Sequence, residues 1–66
     1  MLQAFYNKES GELTLTDIFE EGGAVIKMDR TGKVKLYEIP QYGGDERFVG
    51  EYTNVVEAIE ISNKWT

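Results

Sequence analysis

The stretch from Ala24 to Ile39 constrains the fold more than any other part of the chain. Two apolar-rich runs, Ala24 to Asp29 and Lys33 to Ile39, flank Arg30-Thr31-Gly32, so an Asp is followed three residues later by a Gly between segments of strand character. That arrangement predicts a β-hairpin. Period-two alternation puts Ala24, Ile26, Met28, Val34 and Leu36 on one face and Val25, Lys27, Lys33, Lys35 and Tyr37 on the other. The lysines therefore share the outward face.

The flanks extend the same theme. Leu2 to Tyr6 is short and rich in large apolar residues, and Asn7-Lys8-Glu9-Ser10-Gly11 suits a loop with Gly11 in a left-handed conformation. Its partner Glu12-Leu13-Thr14-Leu15-Thr16 alternates, with Leu13 and Leu15 on one face. From Asp17 to Glu21 two readings stay open: a single helical turn capped by Thr16 and stopped by Gly22, or a strand running on through Ile18, the extended form being preferred. After Pro40, the loop Tyr42-Gly43-Gly44-Asp45 leads into a strand from Arg47 to Tyr52. Gly50 inside that strand predicts a bulge or a closely packed neighbour, expected to be the helix.

Asn54-Val55-Val56-Glu57 matches a capping-box variant opening a helix to about Lys64. Val55, Ala58, Ile59, Ser62 and Trp65 form its apolar stripe, with Ile61 on the border. The whole chain, 1–66, thus reads as one α+β domain. It is a small antiparallel sheet of three to five strands with one C-terminal helix packed on one face.

The residue types that are missing narrow the chemistry. With no Cys there is no disulfide, no thiolate nucleophile and no Cys-based zinc site, and with no His the commonest general base and metal ligand are both gone. Ser10 and Ser62 have no imidazole to activate them, and the glycines do not space as a phosphate-cradling loop. The acid pairs Glu20-Glu21 and Asp45-Glu46 lack the alternating spacing of a calcium loop and read as solvated turns. No catalytic residue, cofactor or metal is expected. The segment MLQAFYNKES lacks a basic start followed by an apolar run, and no stretch approaches the ~20 apolar residues of a membrane span. The expectation is a soluble, cytoplasmic protein without a membrane partner.

Charge points to a partner class. Seven bases against twelve acids give −5, the wrong sign for a protein that neutralises phosphates. Four cations, Lys27, Arg30, Lys33 and Lys35, lie within nine residues with only Asp29 against them, so the rest of the chain carries three bases and eleven acids. Acidic candidates for engaging a basic protein surface are Glu9, Glu12, Asp17, Glu20 and Glu21 on one side, and Asp45, Glu46, Glu51, Glu57 and Glu60 on the other. Set as phosphate stand-ins they would mimic nucleic acid; otherwise they keep the domain soluble.

Of the eight aromatics, Phe5, Phe48, Tyr52 and Trp65 are assigned to packing. Tyr37 and Tyr42, on the outer face and in the Pro40 loop, are candidates for a protein interface.

From Lys33 to Lys64 the order is strand, loop, strand and helix, with Val49-Gly50-Glu51-Tyr52-Thr53 leading into Val56-Glu57-Ala58-Ile59. This half of the chain resembles the three-stranded-sheet-plus-helix domains of phage and transposon integrase arm-binding regions and of plant AP2 proteins. It is also similar to small phage proteins that inhibit host enzymes and end in an aromatic such as Trp65. The integrase and AP2 resemblance implies a sheet face that reads a DNA groove with Arg and Trp; here that face offers Lys27, Arg30, Lys33 and Lys35 but no Trp.

The leading expectation is a non-enzymatic acidic module that binds a protein with a basic surface, in the host cytoplasm if phage-encoded. The alternatives are weak nucleic-acid binding through the basic hairpin 27–35, and a small homodimer joined at its sheet edges or at the Trp65 end.

Overall fold

A computed structural model describes residues 2–20 and 22–65. Five strands, β1 (Leu2–Asn7), β2 (Glu12–Phe19), β3 (Gly22–Met28), β4 (Val34–Ile39) and β5 (Arg47–Tyr52), precede one helix, α1 (Val55–Asn63). They form one sheet in the order β1-β2-β3-β4-β5, every neighbouring pair antiparallel. Such a meander follows from short connections, each too brief to cross over the sheet.

The turns are built by their own side chains. In the first loop Asn7 Oδ1 accepts from the N–H of Glu9 at 2.9 Å, and the Gly11 N–H donates to Asn7 O at 2.8 Å, with Gly11 at φ 75°. In the central hairpin Asp29 Oδ1 accepts from Thr31 N at 2.9 Å, Thr31 Oγ1 at 2.6 Å and Lys33 N at 3.0 Å. Three donors converging on one carboxylate oxygen pin that reversal. Residues 17–19 continue β2 in the extended form.

Register fixes two faces. On the helix side Ala24, Ile26, Val34, Leu36 and the helical Ala58 make the buried core, joined by the partly buried Leu15, Phe19, Met28, Tyr52, Val55, Ile61 and Trp65; on the face expected to be outward Val25, between Thr16 and Tyr37 in register, is buried as well. The helix packs on β3, β4 and β5. Geometry explains why it stops there: five strands span about 19 Å at ~4.8 Å spacing, whereas a helix is about 10 Å wide. A single helix leaves β1 without a cover, and all six of its residues are exposed.

Several expectations need correction. Ile61 packs on the core and Ile59 faces outward. The reason is rotation: Ala58, Ser62 and Trp65 point at the sheet, and Ile61 is 60° from Ala58 at ~100° per residue, whereas Ile59 is 100° away. Gly50 faces a close neighbour, but that neighbour is the Tyr52 side chain, whose hydroxyl would lie 2.9 Å from an added Cβ; the register also shifts between Leu36 and Tyr37, making a bulge around Val49. Phe5 and Phe48 are exposed on the open face and not part of the core, because among the described residues no second layer lies over it; Tyr52 and Trp65 are partly buried as expected. Lys33 sits in the turn before β4, so only Lys27 and Lys35 of the three lysines share the outward strand face. At the helix start Asn54 accepts from Val56 N at 2.7 Å, while Glu57 stays exposed.

Candidate functional site

A meander gathers alternate connections at each end of its sheet. At one end lie the first loop and the Asp29 turn; at the other lie the β2–β3 turn, the β4–β5 loop and the C-terminal end of α1. This second end holds a shallow cleft of about 920 Å³, lined by Phe19, Ile39, Pro40 and Trp65 with Glu20, Glu38 and Arg47 among its polar walls. Pro40 ends β4 and turns the chain out of the sheet; Trp65 arrives there because α1 runs back from β5 along the core. The result is an aromatic and aliphatic floor under a charged rim.

Within the rim Arg47 and Glu38 form an ion pair. Glu20 lines the same cleft, and the loop that supplies Pro40 and Gln41 continues through Tyr42 to Asp45 and Glu46, all exposed. Tyr42 stands 93% exposed, the extreme among the large hydrophobic side chains described. An aromatic held in water beside an apolar cleft brings contact area at small entropic cost.

The other candidate acids are dispersed. Glu9 and Glu12 lie at the Asp29 end, Glu12 being about 26 Å from Glu20 along the eight-residue β2 at ~3.3 Å per residue. Asp17 points to the helix side of the sheet and is half-buried, opposite Leu2 and Ala24. Glu51 sits on the open face opposite Lys35, and Glu57 and Glu60 ride on the exposed side of α1. Glu21 lies outside the described residues. The two linear groupings in the sequence thus do not form two patches; Glu20, on the cleft rim, and Asp45 and Glu46, in the loop before β5, instead share the same end of the sheet.

The four hairpin cations do not form a plane either. Lys27 places Nζ 5.0 Å from the centre of the Tyr37 ring, and that ring meets Phe48 edge-on at 5.6 Å and 63°. Lys35 lies across from Lys27 in register, a like-charge pair, with Glu51 on its other side. Arg30 turns away to donate from Nη2 to the Glu9 carbonyl at 3.2 Å, bracing the two turns at that end. Tyr37 is therefore half-buried in a Lys–Tyr–Phe row, while Tyr42 is open to solvent.

The Thr31 hydroxyl, working against an opposing desolvation and assisted by the N–H groups of Lys33 and Thr31 and by the Lys33 charge, holds the Asp29 carboxyl below the usual carboxylate range. This carboxylate serves the turn, with three donors of the reversal converging on its Oδ1. Among the described residues no group of three or more Asp or Glu is placed to hold a metal ion, and none of the helices is long and apolar enough to cross a membrane.

The cleft escaped sequence reasoning because its walls come from residues 19–20, 38–41, 47 and 65, which no periodicity links. Pro40 and Trp65 were the available signals: one marks where a strand leaves the sheet, the other an aromatic at the end of an amphipathic helix. No family model, curated protein or solved structure matches the chain.

Proposed function

We propose that this chain is a non-enzymatic protein-binding module that engages a basic surface of its partner through the cleft end of the sheet. The observation that carries this reading is Tyr42, exposed beside an apolar cleft whose rim and adjoining loop hold Glu20, Asp45 and Glu46. A partner Arg or Lys would lay its aliphatic stem on Phe19, Ile39 and Trp65 and its charge against the carboxylates. Tyr42 would be the anchor and the acids would steer the encounter. The absence of His and Cys, the usual proton-transfer and thiolate groups, supports a binding role over a catalytic one.

Binding of fluorescent Arg- and Lys-rich peptides and of folded basic proteins, followed by anisotropy, tests this. Tyr42→Ala should weaken binding at least tenfold, and the double change Asp45→Lys, Glu46→Lys should slow association. Raising salt from about 0.1 to about 1 M shortens the Debye length from about 10 to about 3 Å and should lower affinity in step. Affinity unmoved by salt removes the electrostatic part, and affinity unmoved by Tyr42→Ala removes the site.

A further inference from the structure

The two edges of the sheet are built differently. β5 carries Arg47 and Glu51, contains the bulge around Val49, and has α1 packed against it. Charges, bulges and covering elements are the devices that keep an edge from pairing. β1 has none of them: its sequence LQAFYN has no charged residue, no Pro and no Gly, and its register with β2 runs unbroken from Leu2 opposite Asp17 to Asn7 opposite Glu12. Its outer side has no neighbouring strand among the described residues.

β1 is also apolar on both faces. Leu2 and Tyr6 project on the helix side, beyond the reach of α1, at 67% and 59% exposure, and Phe5 projects on the open face at 69%. With an aromatic worth roughly 150–250 Å², these three leave on the order of 350 Å² of mostly apolar surface per chain in water.

We infer that β1 is a pairing edge for a second copy of this chain, joined antiparallel across a twofold axis normal to the sheet into one continuous ten-stranded sheet. Three observations select a second copy. A chain of net charge −5 repels its own kind, and β1, which carries no charged residue, lets two copies meet without adding to that repulsion. A twofold axis normal to the sheet keeps each face on its own side, so the strand must pair residues of equal parity. Centring on Ala4 does this and sets Leu2 against the copy's Tyr6 on the helix side, and Phe5 against its Gln3 on the other. Centring on Phe5 would instead bring Lys8 opposite Leu2. Finally, the apolar surface of two copies, on the order of 700 Å², together with the paired backbones reaches about 1,000 Å², the low end of specific interfaces. The dimer is accordingly a weak one. It leaves the cleft end of each chain open, so it is independent of the binding reading above.

Sedimentation equilibrium from about 10 μM to about 1 mM tests the inference, micromolar dissociation being the range expected of so small an interface. The wild-type chain should pass from a 7.5 kDa species to twice that mass. Ala4→Lys and Ala4→Glu place like charges on the axis, and each alone should remain a monomer with an unchanged far-ultraviolet dichroism spectrum. Mixing the two in equal amounts should restore the dimer, since opposite charges then face each other. Amide exchange in the wild type should slow with concentration in β1 and not in β5. A wild-type chain that is monomeric throughout overturns the inference, as do variants that dimerise like the wild type, or a mixture that stays monomeric.

Discussion

Leu36 is fully buried at the centre of β4, between Ile26 and Gly50 in register, and belongs to the cluster that Ala58 covers. Leu36→Ala deletes three carbons, about 2.4 kcal/mol at ~0.8 kcal/mol per buried methylene. A residual cavity adds to this, but one helix forms the whole upper layer and can settle inward, so a total near 3 kcal/mol is expected, at the lower end for such changes. A 66-residue domain holds roughly 3–10 kcal/mol in all at 0.05–0.15 kcal/mol per residue. The substitution therefore removes between a third and all of the stability. Urea unfolding followed by the fluorescence of Trp65, the single tryptophan, measures it; with a slope near 1 kcal/mol/M the midpoint should fall by about 3 M. Phe5→Ala removes a larger side chain, yet in dilute monomer should cost no more than about 0.5 kcal/mol, because Phe5 is exposed. A Leu36→Ala cost below about 1 kcal/mol, or a Phe5→Ala cost equal to it, would refute the assignment of the core to the helix-covered face.

Other consequences follow from single contacts. Gly22 has φ 95°, and a Cβ there would lie 2.6 Å from the Ile39 carbonyl oxygen; backbone cannot step aside, so Gly22→Ala should destabilise by more than about 2 kcal/mol in the same urea assay. Asn54→Ala removes the acceptor for Val56 N and should cost about 1 kcal/mol, lowering the thermal midpoint by about 4–8 °C. Asp29 has a carboxyl lowered in the folded state, so its contribution is fully present above the unfolded value near 4 and is lost as pH falls through the lower native value. Acid titration of the Thr31 and Lys33 amide resonances should follow that native value, and Asp29→Ala should flatten the pH dependence of stability in this window.

Much of the framework was legible because it is local. The Asp29-to-Gly32 spacing, the alternation from Glu12 to Thr16, the Asn54 cap and the break at Pro40 each act within a few residues, and each appears where the sequence predicts it. Less was legible at the candidate site. Tyr42 could be singled out from its loop, and Glu20, Asp45 and Glu46 from their charge. That they share the end of the sheet where Phe19 and Trp65 make a cleft depends on which strand ends meet.

The chain alone determined that strands precede one C-terminal helix, where they turn, and which side of the alternating strands is apolar, since backbone conformation, capping and alternation are properties of neighbours in sequence; that the strands number five in one sheet came from the structure. Tertiary structure decided what covers those apolar sides. One helix can roof only three of five strands, so Leu36 is buried while Leu2 and Tyr6 of β1 stay in water; Phe5 and Phe48 are exposed for a different reason, that among the described residues no second layer covers the opposite face.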